Sequence, residues 1–147
     1  MSKTHAAGIF LVRKDGMLLI CHPTNHAIWS IPKGKIDGEE TPLEAAIRET
    51  LEESNIDLKD CESFIELEPV NYSHKKKMLH PFLVYEGFNK SLNFDSFEIK
   101  CTSMVPDERG SFPEMDGYKF VSLDEAKSLL HETQVVCLDK IKELINE

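Results

Sequence analysis

Two short apolar runs, residues 5–12 (HAAGIFLV) and 17–21 (MLLIC), flank Lys14-Asp15-Gly16, a pattern that predicts a β-hairpin. Residues 28–31 predict a further short strand, ended by Pro32 and Gly34. Residues 62–70 and 78–85 read as longer strands, and residues 118–121 as a short one. Helical patterning is confined to three places. The first covers residues 42–54, the second starts at Ser122 with the capping pattern Ser122-Leu123-Asp124-Glu125, and the third covers residues 134–146. Strands and helices interleave without a repeat or a dividing linker. That arrangement predicts one α/β domain over residues 1–147, a mixed sheet between helices in an α/β/α sandwich.

Composition narrows the class. A chain of 147 residues with 41% apolar and 29% charged residues buries a core without disulfide or metal staples. No apolar run approaches the roughly 20 residues of a membrane span. The segment Met1-Ser2-Lys3-Thr4-His5 lacks a basic head joined to a long apolar stretch, so the expected location is cytoplasmic. Cys21, Cys61, Cys101 and Cys137 are far apart and form no CxxC pair, as reduced thiols would. His22 and His26 have HxxxH spacing, but the Pro23-Thr24-Asn25 between them reads as a turn rather than a ligating helix. Seventeen basic against 26 acidic side chains leave a net charge of −9. Membranes and long nucleic acids are therefore not expected as partners, and the oligomeric state stays open.

The acid is concentrated in residues 34–57. Eight acids against two bases there carry a net −6 of the −9. The helix within this stretch is over-determined at its start: Thr41 can cap, Pro42 suits the first position, and Glu44 completes a capping box. Asn55 can take the left-handed conformation at the far end. On a wheel of 100° per residue, Glu49, Glu52 and Glu53 share an arc of about 100°. Arg48 flanks it, and Leu43, Ile47, Thr50, Leu51 and Ser54 form the expected buried side. Three carboxylates on one face repel. A solvated acidic face is one reading; an oxygen-rich site for Mg²⁺ or Mn²⁺, where the cation removes the repulsion, is the other.

The wider spacing decides between them. Gly34, Glu40 and then Arg48-Glu49-x-x-Glu52-Glu53 resemble the signature of the Nudix hydrolase family, Gly-x5-Glu-x7-Arg-Glu-U-x-Glu-Glu-x-Gly-U with U aliphatic. Ile56 supplies the final aliphatic position. Thr50 departs where an aliphatic residue is usual, and Asn55 where glycine is; neither change removes a carboxylate. The resemblance implies a Nudix-type α/β/α sandwich that hydrolyses a nucleoside diphosphate linked to another group. It implies Glu49, Glu52 and Glu53 as holders of Mg²⁺ or Mn²⁺, with a main-chain carbonyl near Lys33 or Gly34. It also implies a structural ion pair between Glu40 and Arg48. Glu52 is a ligand or the base.

Features outside this box bear on the substrate. Trp29-Ser30-Ile31-Pro32-Lys33-Gly34 resembles the leading segment of the diadenosine polyphosphate hydrolase branch. Trp29 is a core aromatic or a base-stacking one. Lys33 and Lys35 are placed to steady phosphate oxygens. His74-Lys75-Lys76-Lys77 is the only dense basic run, which makes Lys75 or Lys77 a candidate for distal phosphates, and Tyr85 on the following strand a candidate for the nucleoside. Residues 94–120 read as a polar loop leading into the last strand. Phe112-Pro113-Glu114-Met115-Asp116 resembles an element of some bacterial and phage members, with Glu114 first and Asp116 second as an extra acid. A dinucleoside polyphosphate is the expected substrate, with ADP-ribose and RNA 5′-triphosphate as alternatives. Outside enzymes, a non-catalytic nucleotide-binding module is the competing reading, which the intact Glu49, Glu52 and Glu53 set disfavours.

Overall fold

Strand β1 (Thr4–Val12) is buried from Ala6 onward, and its alternating side chains enter two different cores. Ala7, Ile9 and Leu11 join one; Phe10 and Val12 join the other. Apolar residues on both faces are what a central strand between two layers requires. The computed structural model, which describes residues 4–72, 76–108 and 110–146, places β1 there.

After β1 come β2 (Leu18–Pro23), β3 (Lys33–Lys35) and the helix α1 (Pro42–Ser54). Two two-residue strands, β4 (Ile65–Glu66) and β5 (Val70–Asn71), precede the long β6 (Lys77–Tyr85). β7 (Met104–Asp107), β8 (Gly110–Pro113) and β9 (Met115–Val121) follow, then α2 (Leu123–Ala126), α3 (Glu132–Val135) and α4 (Leu138–Ile145). The principal sheet runs β4-β6-β1-β2-β9, with β3 beside β1 and β5 beside β6. β1 and β6 are parallel, from Thr4 opposite Lys77 to Val12 opposite Tyr85, and the other pairings are antiparallel. The sheet is mixed. α1 covers the face carrying Ala7 and Ile9, and α2 and α4 cover the face carrying Phe10 and Val12. This is the α/β/α sandwich the sequence predicts.

Local signals hold where they are strong. Arg13 N–H donates to the Met17 carbonyl at 2.8 Å, and Gly16 takes φ 89° in the β1–β2 turn. The α1 capping box of Thr41 and Glu44 is formed at both hydrogen bonds, and Asn55 closes the helix at φ 65°.

Four expectations are corrected. Residues 28–31 are not a strand; only Ser30 bridges to Cys21 and Trp29 to Leu130. The expected strand at 62–70 survives only as β4, with β5 beginning at Val70, because the edge is interrupted before Pro69, which has no N–H for a ladder. The last helix divides into α3, capped by the His131 side chain, and α4. The loop at 94–120 contains the β7–β8 hairpin, turned at Gly110 with φ 122°, and β9 begins at Met115 rather than at Tyr118.

Candidate active site

α1 does not present its three acids to solvent as one face. Its buried residues are Ala45, Ala46, Glu49, Thr50, Glu53 and Ser54, while Leu51 is 38% exposed. The expected buried side is rotated toward the carboxylates, because the small Ala45 and Ala46, not the leucines, let the helix approach the sheet. Glu53 is fully buried and Glu49 nearly so; only Glu52 reaches solvent.

Each buried acid has a defined neighbour on the segment leading into α1. Lys33 N–H donates to Glu53 Oε1 at 3.1 Å. Glu49 lies against Gly34, whose missing side chain leaves the space that its carboxylate fills. Arg48 organises the remainder. Its Nε and Nη2 donate to the two Glu40 carboxylate oxygens at 2.7 and 3.0 Å, and Nη2 also donates to the Lys35 carbonyl at 3.0 Å. Its Nη1 reaches Glu49 at 2.9 Å and Glu52 at 3.3 Å. Glu40 in turn accepts from the Asp37 N–H at 2.9 Å. The Arg48 guanidinium holds the Glu40 carboxyl down at about 2, and Arg48 itself is raised by the same pairing.

Glu53 is different. Burial pushes its carboxyl well above the usual range, helped by the negative charge of Glu114 and by Glu49. Glu49 is also raised by burial, with the charge of Glu52 adding to it and the Arg48 guanidinium opposing it. Glu53 Oε2 has no hydrogen-bond partner. An unpartnered buried carboxylate oxygen is expensive unless something arrives to satisfy it. Carboxylates without thiolate are the donor set of a hard divalent cation. The residues present therefore fit such an ion in chemistry. Among the described residues no three His, Cys, Asp or Glu side chains converge on one coordination point, since Arg48 stands between Glu49 and Glu52.

Glu53 and Lys33 open into a cleft of about 530 Å³ whose other walls include Trp29, Tyr72, Phe112, Glu114, His131 and Gln134. Glu114 faces Glu53 across it and is fixed by Ser103, whose hydroxyl donates at 2.7 Å. Asp116 lies elsewhere, paired with His22 Nδ1 at the protein surface. Trp29 is half-buried, with Lys119 Nζ 4.6 Å above its ring and His22 edge-on at 5.0 Å. Lys77 sits 5.0 Å from the Tyr72 ring, at the cleft side of β6. Tyr85 is not brought to the cleft; its hydroxyl donates to the Lys14 carbonyl and its ring packs on Phe88. Lys35 is exposed and contributes its carbonyl to Arg48. Lys75 lies outside the described residues.

Sequence reasoning missed several residues of this region. Gln134 is fully buried, accepts from the Ile31 N–H at 3.0 Å and donates to Ser30 Oγ at 3.1 Å. It ties the C-terminal helices to the segment that carries Trp29 and Lys33. Tyr118 donates to the Glu53 main-chain carbonyl. Tyr72 and His131 stack at 5.5 Å on the cleft wall. No local pattern marks any of these, because each acts across more than 40 residues of chain. The four cysteines are free thiols. No helix among the described residues is long and apolar enough to cross a membrane.

Comparison with known proteins places this geometry. A family model described as the NUDIX domain matches residues 2–141. The RNA pyrophosphohydrolase of Marinomonas sp. (strain MWYL1) is 29% identical over 117 residues, covering 78% of this chain and 73% of that protein. The Ap4A hydrolase of C. elegans, in a binary complex, superimposes with TM-score 0.68 at 24% identity, covering 97% of this chain and 98% of the other. A bifunctional NMN adenylyltransferase/ADP ribose pyrophosphatase of Francisella tularensis, complexed with AMP and a Mn ion, gives TM-score 0.66 at 16% identity, covering 96% of this chain and 42% of that one. The structural likenesses at these identities are likenesses of fold.

Proposed function

The chain belongs to the Nudix hydrolase family and is an enzyme of pyrophosphate bonds; from that premise we propose that it cleaves a nucleoside diphosphate linked to a second group, a dinucleoside polyphosphate such as diadenosine tetraphosphate. The observation that carries the site assignment is the orphaned Glu53 Oε2, buried beside Lys33 at the end of a cleft with aromatic walls.

Glu49, Glu52 and Glu53, with a main-chain carbonyl near Lys33, would hold Mg²⁺ or Mn²⁺, which would supply Lewis acidity toward phosphoryl oxygens and a bound water. Arg48 donates to the Glu49 and Glu52 carboxylates and, through Glu40, anchors the loop to α1. Glu114, facing Glu53 across the cleft, takes the proton from the attacking water. Lys33 neutralises phosphate oxygens beside the reacting phosphorus, and Lys77 those at the far rim; Lys35 adds positive potential outside. Trp29 and Tyr72 receive a base, with Lys119 backing the Trp29 ring. A location in the cytoplasm and action as a single domain belong to the same reading.

A second reading has one observation behind it. The curated relatives at 26–29% identity are named RNA pyrophosphohydrolases, which brings RNA 5′-triphosphate forward as an alternative substrate. Against it, the described residues lining the cleft include few basic groups for a polynucleotide backbone.

The experiment is a panel of diadenosine polyphosphates, ADP-ribose, nucleoside triphosphates and 5′-triphosphorylated RNA, assayed with Mg²⁺ and with Mn²⁺ and with products identified. Diadenosine tetraphosphate turning over with the highest kcat/KM supports the first reading. Triphosphorylated RNA in that place replaces it with the second.

A further inference from the structure

The last turn of α1 is completed by residues far along the chain. Among its final carbonyls, that of Leu51 accepts from the Asn55 N–H at 2.9 Å, the bond a left-handed cap provides. The next three accept from residues between 100 and 118. The Glu52 carbonyl takes both the Thr102 N–H at 2.8 Å and the Thr102 hydroxyl at 2.9 Å. The Glu53 carbonyl takes the Tyr118 hydroxyl, and the Ser54 carbonyl takes the Lys100 N–H at 3.2 Å. Asn55 Nδ2 adds a bond in the other direction, donating to the Glu98 carbonyl at 2.9 Å. Residues 98–102 are thereby tied to the helix end that carries Glu52 and Glu53.

Ser103 comes next on this segment, and it holds Glu114 at two points. The Glu114 N–H donates to the Ser103 carbonyl at 3.1 Å, and the Ser103 hydroxyl donates to Glu114 Oε2 at 2.7 Å. The two residues stand one step beyond the Met104–Pro113 pair, at the open end of the β7–β8 hairpin. Cys101 closes the same corner, its Sγ donating to the Ser103 carbonyl at 3.2 Å and accepting from the Met115 N–H at 3.4 Å. Resting on the reading of Glu114 as the base, we infer that Ser103 is a positioning residue for it. From a segment tied to the end of α1, Ser103 sets the separation between the Glu114 carboxylate and Glu53. A glutamate side chain left unheld samples several rotamers, whereas a short hydrogen bond to a carboxylate is among the stronger kinds. With Oε2 engaged by Ser103, Oε1 is left for the proton of the attacking water.

The test is steady-state kinetics with Mg²⁺ on whichever substrate of the panel above gives the highest kcat/KM, so it does not depend on which substrate that is. Ser103→Val and Ser103→Thr are a matched pair, alike in shape and different only in the hydroxyl. Ser103→Val is expected to lower kcat about tenfold or more, since a misplacement of about 1 Å costs about a hundredfold. KM should stay within about twofold, because the base acts in the transition state and not in substrate binding. Ser103→Thr keeps the donor and should restore kcat to within about threefold of the parent. In a Glu114→Gln background, Ser103→Val should cost nothing further, because the group it positions no longer takes the proton. Both variants are followed by Tm and compared at a temperature where both are folded. An equal loss in Ser103→Thr, or the same loss repeated in the Glu114→Gln background, overturns the inference and leaves Ser103 a structural residue. Parent-like kcat in Ser103→Val while Glu114→Gln is impaired overturns it alone. Parent-like kcat in Glu114→Gln removes the reading of Glu114 as the base, and this inference with it.

Discussion

Gly34 and Glu49 occupy one space between them: a Cβ added at Gly34 would lie 2.2 Å from the Glu49 carboxyl carbon and 2.3–2.4 Å from both its oxygens. The glycine of the family spacing is thus explained by a carboxylate on the neighbouring helix, not by a turn. The atoms in conflict are the far end of a flexible side chain, so the backbone need not move.

Gly34→Ala should therefore separate stability from activity. Displacing the Glu49 carboxylate by about 1 Å is expected to lower kcat about a hundredfold. Chemical denaturation should show a loss under about 1 kcal/mol, within the usual range of tolerated substitutions. An activity within a factor of about two of the parent would place Glu49 outside the reacting centre.

In the absence of a cation, the buried Glu53 carboxyl should make stability depend on pH. Its folded carboxyl is raised above the unfolded value of about 4.3. The folded state therefore holds the proton more tightly than the unfolded one, and stability is fully present below the unfolded value. It is lost as pH rises through the folded value. In excess chelator, Glu53→Gln should flatten that decline and raise Tm at neutral pH. With Mg²⁺ present the order should reverse, because only the parent gains the ion. The same variant should lose at least about a hundredfold in rate.

Glu40 acts in the opposite direction. Arg48 holds it at about 2, below the unfolded carboxylate value, so its contribution is present above that unfolded value and lost as pH falls toward 2. Glu40→Gln should flatten the acid limb of a stability profile between about pH 4.5 and pH 2. Arg48→Lys should resemble it and also lower activity, since a lysine cannot contact Glu40 bidentately while reaching Glu49 and the Lys35 carbonyl.

Glu114 and Asp116 make a controlled pair two residues apart. Glu114 lines the cleft opposite Glu53, whereas Asp116 pairs with His22 at the surface. Glu114→Gln should lower kcat by about 10²–10⁴ while leaving KM nearly unchanged. Asp116→Asn should leave both within about twofold, and steady-state kinetics reads the contrast directly.

Gln134→Leu should strip the partner from the buried Ile31 N–H. The expected loss is about 1–3 kcal/mol in a denaturant titration. Because Ile31 stands between Trp29 and Lys33, KM should rise more than kcat falls.

Much of this protein was legible in its sequence because the signals are local. Thr41, Pro42 and Glu44 start α1 and Asn55 ends it through contacts within a few residues, so propensity and capping suffice. The β1–β2 turn is set by Asp15 and Gly16 in the same way. The spacing from Gly34 to Glu53 marked the acids and the arginine, and with them the family. Tertiary structure decided what a helical wheel cannot: which side of α1 meets the sheet. The wheel assigns Leu51 to the interior, but packing against β1 through Ala45 and Ala46 puts Glu49 and Glu53 there and leaves Leu51 in solvent. The sheet likewise interrupted the strand expected at 62–70 and made a hairpin of a polar loop. It also brought Glu114, Gln134 and Tyr118 to Glu53 and its leading segment from far along the chain. Burial and long-range hydrogen bonding give those residues their roles, and neither quantity exists until the chain has folded.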